Sequence, residues 1–360
     1  MSSFVQYLNK ATSKMKLSEG IILAFGSIIA VIIAMIIGAA IIAASGINPI
    51  LAYTELFKGA FGTAYSFGEI LVRSMPLGFT ALAFAIAFRG GLVNIGGEGQ
   101  FYMGALGATL VALLFPSLPS SLLIFLCFLA GIIFGAIWGA IPGFLKAKWN
   151  VNEFVNTVLM NYIAIYLVNY LVSGPIREGV SHSNPQTEMF VVASWLPKII
   201  PQTRVTLGFI IFIACIILVY IFLWKTPLGY QIRVIGHNPK AGKYAGINKF
   251  FITVLNLSIA GSLAALGGII QVLGIQHRLI ANFSPGYGYK GIAIALLGRN
   301  NPFGVLIAAI FISALEVGAR SMESYSSVSY YLIGAIEAII LLSILSSDFF
   351  VKKYLLKKEA

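Results

Sequence analysis

The sequence has 360 residues, of which 59% are hydrophobic and 10% charged, and its mean hydropathy is +0.92. This composition excludes an ordinary soluble domain and indicates one transmembrane domain over residues 1–360. The net charge of +12 does not indicate nucleic-acid binding, because the cations gather in short segments between apolar runs. We therefore expect a lipid bilayer around the chain and no nucleic acid as a partner.

The apolar runs predict an all-α polytopic membrane protein with about ten transmembrane segments, some of them short or broken, around a central cavity. A helix needs about 20 apolar residues to span a bilayer. The uncharged run from Ile21 to Tyr53 is longer than a signal-peptide core, so we interpret it as a retained helix. The predicted segments are 21–44, 67–88, 101–115, 121–145, 152–173, 206–224, 250–275, 287–298, 303–319 and 328–347.

The distribution of cations predicts the orientation of these segments. Basic loops resist translocation, so segments rich in Lys and Arg stay in the cytoplasm. The even number of segments then places both termini in the cytoplasm. The long loop 174–205 lies on the other side; it is either a solvated connection or a gate and receptor-docking surface. The cations assigned to the cytoplasm are Lys10, Lys14, Lys16, Lys146, Lys148, Lys225, Arg233, Lys240, Lys243, Lys249, Lys352, Lys353, Lys357 and Lys358.

Two of the predicted segments, 101–115 and 287–298, are too short to cross a bilayer comfortably. Each adjoins a glycine-rich stretch, GGLVNIGGEGQ at 90–100 and SPGYGYKG at 284–291. Such interrupted segments in both halves of a transporter are typical of broken helices beside a translocation path. The first stretch supplies Asn94, Glu98 and Gln100 as candidate path residues. An ordinary cytoplasmic turn is the alternative.

The fifth segment carries a polar stripe. Its members recur at helical spacing and therefore share one face. A polar face with aromatic neighbours suits the path of a polar, flat-ringed solute, but a hydrogen-bonded seam between two helices explains the spacing equally well. The candidate path residues on this segment are Glu153, Asn156, Asn161 and Tyr162, with Thr157 on the same face.

Residues 225–249 form a basic stretch, KTPLGYQIRVIGHNPKAGKYAGINK, with five cations and no acid. Asn238 can cap a short helix, Pro239 suits its first position, and Gly246 can adopt the left-handed stop. Ala241 and Tyr244 fall on one face of that helix. The pattern predicts a cytoplasmic coupling loop whose short helix docks to a partner.

No enzymatic chemistry is expected of this chain. The stretch GHNPKAGKY at 236–244 has one residue too many between its glycines for a Walker A loop, and a Tyr follows its Gly-Lys pair. The three His residues are scattered without acidic or Cys partners. We expect no catalytic residue, no metal site and no cofactor.

Four ordered stretches resemble the membrane-spanning permeases of bacterial ABC importers of the ribose and branched-chain amino-acid type. The similarity is greatest to the branch for nucleoside (guanosine-like) uptake, whereas sugar and riboflavin permeases look similar enough to leave the solute open. The stretches are GLVNIGGEGQFYMGALGA at 91–108, NEFVNTVLMNYIA at 152–164, TPLGYQIRVIGHNPKAGKYAGI at 226–247 and GYGYKGIAIALLGRNNPFG at 286–304.

The resemblance implies a multi-pass protein of the bacterial cell (plasma) membrane that passes a small-molecule solute. It implies a cytoplasmic ABC ATPase, a second related permease subunit, and an extracellular solute-binding protein or lipoprotein as partners. It places the 90–100 stretch near a central cavity. The chain departs from the family pattern where Ala241–Gly242 replaces Ala–Ala. The coupling residues that the resemblance carries over are Gly236, Asn238, Pro239, Ala241 and Gly246.

Two other classes of function remain at this stage. A secondary transporter driven by an ion gradient would carry protons on Glu98, Glu153 or Glu337. A scaffold or sensor subunit would not transport at all. Neither alternative explains a capped basic helix between membrane segments.

Overall fold

The computed structural model describes residues 29–179, 185–326, 328 and 330–350. The predicted basic termini, residues 21–28 of the first predicted segment and the side chain of Glu337 lie outside this description. The chain divides into two compact units, one of residues 1–63 and 315–360 and the other of residues 64–314.

The described residues form α-helices connected by short turns and by the long loop 174–205. The helices are α1 Ile29–Ala44, α2 Pro49–Phe61, α3 Ala64–Arg89, α4 Gly97–Leu114, α5 Ser120–Trp149, α6 Glu153–Ser173, α7 Gly208–Lys225, α8 Pro227–His237, α9 Pro239–Tyr244, α10 Lys249–Gln271, α11 Tyr287–Leu297, α12 Pro302–Ser326 and α13 Tyr330–Phe350.

The predicted all-helical membrane fold is confirmed in its class, whereas the predicted number of about ten spans is not. Within the described residues, six helices are long and apolar enough to cross a membrane: α3, α5, α6, α7, α10 with its continuation to Gln276, and α12 as far as Tyr325. Helix α11 has only 11 residues, so the 287–298 segment is a short helix, as its length predicted.

The sequence prediction missed helix α2. Gly46 has a φ of +80° and ends the preceding helix. The Asn48 side chain accepts hydrogen bonds from the backbone amides of Ile50 and Leu51, and Pro49 occupies the first helical position. These are ordinary start and stop signals, but a long uncharged run concealed them.

Glycines join α5 to α10 in the larger unit. Gly131, Gly135, Gly139 and Gly143 recur at every fourth residue, and all four are buried. A side chain at Gly135 would overlap Ala265, and one at Gly139 would overlap the backbone carbonyl of Leu257. Small residues at this spacing let two membrane helices approach closely. Both helices pack against α4, and α5 also contacts α6.

The described residues 185–205 of the long loop pack against the chain that follows α10. The amides of Thr187, Phe190 and Leu196 donate to the carbonyls of Leu279, His277 and Leu273. Its last part is fixed to α3, because Arg204 Nε donates to Glu69 Oε1 at 2.7 Å. The ring of His277 stacks on Trp195, and partial burial lowers the pKa of His277.

Candidate solute path and coupling segment

Helices α4 and α11 begin side by side in the larger unit; α4 has 18 residues, so the predicted segment 101–115 belongs to a longer helix than expected, whereas α11 is short. Helix α11 runs beside α3, with the Tyr287 carbonyl accepting a hydrogen bond from Thr80 Oγ1 at 2.9 Å. The first turn of α4 meets the first turn of α11, where Glu98 Oε2 accepts from the Gly288 amide at 2.6 Å. Since Thr80 lies in the interior of α3, both helices begin within the helical bundle rather than at its end.

A polar network holds the irregular backbone that leads into α4. Asn94 Nδ2 donates to Gln100 Oε1 at 3.1 Å, and Asn94 Oδ1 accepts from the Gly96 amide at 2.9 Å. On α6, Asn161 Oδ1 accepts from the Gly99 amide at 2.8 Å, while its Nδ2 donates to the Ile95 carbonyl at 2.9 Å. Irregular backbone among packed helices is tolerated only when such partners satisfy it.

The network is almost completely buried within this chain. Asn94, Glu98 and Gln100 are 1–2% exposed, and Asn161 is 0% exposed. Thr157 also belongs to it, since its hydroxyl accepts from the Ile95 amide at 3.2 Å. The structure therefore brings together four of the predicted path residues. Hydrogen bonds that involve Thr157 and Asn161 join α6 to the 90–100 stretch, as expected for a seam between helices, which was the alternative interpretation of the polar stripe.

The other three predicted path residues lie apart from this network. Glu153 pairs with Lys146, with Nζ and Oε2 at 2.9 Å. Asn156 is partly buried, and its Nδ2 has no hydrogen-bond partner among the described residues. Tyr162 is 51% exposed on the outer face of α6.

Tyr289 contacts the buried network and is itself partly exposed. This residue was not identified from the sequence. Its hydroxyl receives a hydrogen bond from Asn161 Nδ2 at 3.3 Å, and the side chain is 40% exposed. The glycine-rich stretch 284–291 gave the only signal for its position.

The basic stretch 225–249, hereafter the coupling segment, folds as two helices rather than one. Helix α8 begins at Pro227 and buries Ile232 and Ile235 in a cluster with Ile252 of α10. Helix α9 follows as predicted, with Asn238 Oδ1 accepting from the amides of Lys240 and Ala241. Gly246 ends it with a φ of +73°.

Helix α9 turns its only buried residue, Gly242, towards α8. A methyl group there would lie 2.5 Å from Ile235 Cδ1. Gly242, which stands where the family pattern has a second Ala, therefore packs closely against α8. Ala241 is exposed, and Tyr244 is 93% exposed. A nearly bare aromatic ring on a capped helix is typical of a residue that binds a partner.

Gly236 connects the coupling segment to the 90–100 stretch. A side chain at Gly236 would overlap the backbone carbonyl of Arg89 and lie 2.9 Å from the Gly91 nitrogen. Gly91 has a φ of +73°, and a side chain there would lie 3.0 Å from Gly236 Cα. The two backbones are therefore in direct contact, so a displacement of α8 acts on the turn that leads to Asn94.

Two Asn substitutions on α6 separate the buried network from the rest of the stripe. Asn161→Ala leaves the buried Gly99 amide without its acceptor, and we expect it to cost about 1–3 kcal/mol. Asn156→Ala removes no hydrogen bond from Nδ2 and should cost less than about 0.5 kcal/mol. Thermal unfolding of the purified protein in detergent measures both changes. Equal losses of stability would contradict the described network.

An all-helical fold with six candidate membrane spans among the described residues, a polar network inside the bundle and an exposed basic helix is typical of a transport subunit. Residues 66–342 match the family of the branched-chain amino acid transport system / permease component, and the chain belongs to that family. Members of this kind are ABC transporter permease subunits, which are transport components rather than enzymes.

Three relatives illustrate the similarity. The glucose ABC transporter permease TsgB13 of Haloferax volcanii is 36% identical over 92% of this chain and 90% of its own length. The nucleoside ABC transporter permease NupB of Lactococcus lactis is 33% identical over 82% of this chain and 84% of its own. The guanosine ABC transporter permease NupP of Bacillus subtilis is 34% identical over 89% and 92%.

Proposed function

We propose that this permease imports nucleosides across the bacterial plasma membrane as part of an ATP-driven transporter. Membership of the family implies an ATPase partner and a solute-binding protein in general. In the proposed assembly, a second, related permease completes the solute path, and an extracellular binding protein or lipoprotein delivers the solute. Both termini lie in the cytoplasm, as the basic segments require.

The exposed helix α9 is the observation that carries the coupling role. It lies in a stretch with five cations and no acid, which supports a cytoplasmic position. Asn238, Pro239 and Gly246 define its two ends, while Ala241 and Tyr244 present the docking surface. Because the ATPase binds this surface differently in its ATP-bound and ATP-free states, it shifts the balance between inward- and outward-open permease.

Gly236 transmits this shift to the solute path. Its backbone contact with the Arg89–Gly91 turn supports a direct mechanical connection to the 90–100 stretch. Asn94, Glu98, Gln100 and Asn161 form the buried wall behind the path in this proposal. Movement of the turn then repositions that wall.

Tyr162 and Tyr289 form the proposed contact surface for the solute. Both rings are partly exposed beside the buried amides, and a flat base can stack on such rings. Asn156 Nδ2 is buried without a partner among the described residues, and in this proposal it binds a base or ribose oxygen once the conformational change exposes it. The Glu153–Lys146 pair fixes the beginning of α6 at the end of the path.

Uptake by the reconstituted transporter tests the choice of solute. The permease would be assembled with the ATPase, second permease and binding protein from the neighbouring genes, and radiolabelled guanosine uptake measured. We expect unlabelled purine nucleosides to compete in the micromolar range and glucose and riboflavin not to compete at a hundredfold excess. Uptake of radiolabelled glucose but not of guanosine by the same vesicles would instead favour a sugar importer, which the 36% identity to the glucose permease makes the second candidate.

A further inference from the structure

The strongest feature that the transport function leaves unexplained is the burial of Glu98 without a cation against it. Its carboxylate accepts from the Gly288 amide at 2.6 Å. Ser284 Oγ, which accepts from the Gly286 amide at 3.2 Å, lies near the same carboxylate. No described Lys, Arg or His forms an ion pair with Glu98. Burying a charge is costly unless other dipoles compensate for it, so something besides a salt bridge stabilises this carboxylate.

Two helix N-termini provide that compensation. Glu98 lies in the first turn of its own helix α4, and Gly288 lies in the first turn of α11. Each N-terminus carries about half a positive charge and free amide donors. A carboxylate at this position therefore interacts favourably with both helix ends.

The glycines at this junction allow the two helix ends to approach. A side chain at Gly288 would overlap the backbone of Glu98, so only glycine fits there. Gly97 lies against Gly288 in turn, with an added methyl 3.7 Å from Gly288 Cα. The contact joins residues that are 190 positions apart in the sequence. The close backbone packing and the Glu98 carboxylate therefore both stabilise the contact between α4 and α11.

We propose that Glu98 is a positioning residue that holds the first turns of α4 and α11 together, so that the two helices move as one unit when the permease changes conformation. The Glu98–Gly288 contact governs the rate of the conformational change rather than the binding of solute. It predicts a change in the maximal rate of uptake with little change in KM. The inference rests on the proposed import function, which wild-type guanosine uptake in the same vesicles tests separately.

Glu98→Gln and Glu98→Asp are compared in the reconstituted transporter, with guanosine as the probe. Gln keeps an acceptor of the same length but loses the charge, whereas Asp keeps the charge but is one methylene too short to reach Gly288. We expect Asp to lower the maximal rate roughly tenfold and Gln roughly threefold, with KM within twofold for both.

ATP hydrolysis by the same assemblies provides the second readout. We expect the Asp variant to hydrolyse ATP without solute at an increased rate, because loosened helices no longer restrain the permease. Assemblies that retain wild-type ATPase content exclude misfolding as the cause. A KM raised more than about fivefold at an unchanged maximal rate would overturn the positioning role and identify Glu98 as a solute ligand. Wild-type kinetics in both variants would overturn it as well.

Discussion

Ala241→Trp is expected to abolish uptake while leaving the permease folded and inserted in the membrane. Ala241 is exposed on α9, so the described residues leave room for an indole at this position. It would instead project into the surface proposed to bind the ATPase, where a methyl group now fits. We expect uptake to fall at least about tenfold, which corresponds to ~1.4 kcal/mol.

Ala241→Ser is the matched control. Serine is nearly as small as alanine, so uptake should stay within about twofold of wild type, a difference of only ~0.4 kcal/mol. Both variants should behave alike in membrane yield and thermal unfolding. Wild-type uptake by the Trp variant would remove α9 from the coupling role.

Gly236→Ala is expected to uncouple ATP hydrolysis from uptake. The added methyl would overlap the Arg89 carbonyl and separate α8 from the Arg89–Gly91 turn. Overpacking of this kind typically costs about 1–3 kcal/mol of stability unless the backbones shift apart, and we expect that shift to lower uptake severalfold. The ATPase should still bind, because α9 is unchanged. Uptake per ATP hydrolysed is the quantity to measure.

Gly242→Ala is the control for that substitution. It adds the same methyl group to the same coupling segment, but the nearest atom is Ile235 Cδ1, the end of a flexible side chain that can turn aside. We expect nearly normal uptake per ATP. Equal defects in the two variants would show that any strain within the segment is harmful, and would contradict a specific connection through Gly236.

Local signals explain which elements the sequence could predict. Helix α9 was predictable because Asn238, Pro239 and Gly246 specify its ends within nine residues. The same kinds of signal at Gly46, Asn48 and Pro49 were present before α2. The continuous uncharged run concealed those signals, so α2 was not predicted.

The candidate site was predictable only within each segment. The spacing of Thr157 and Asn161 on α6 correctly indicated a common face. Nothing in the spacing showed that this face meets the backbone of residues 95–99, since that contact depends on how α4 and α6 pack. The Glu98–Gly288 contact was even harder to predict, because it joins stretches in opposite halves of the chain.

The amount of ATPase retained by the purified permease tests the central claim most directly. Wild-type, Ala241→Ser and Ala241→Trp permeases would be solubilised from membranes that contain all subunits, and the ATPase per permease would be quantified. The account predicts equal retention by the wild type and the Ser variant, and loss of the ATPase from a folded Trp variant. Full retention by the Trp variant would show that α9 is not the surface that binds the ATPase.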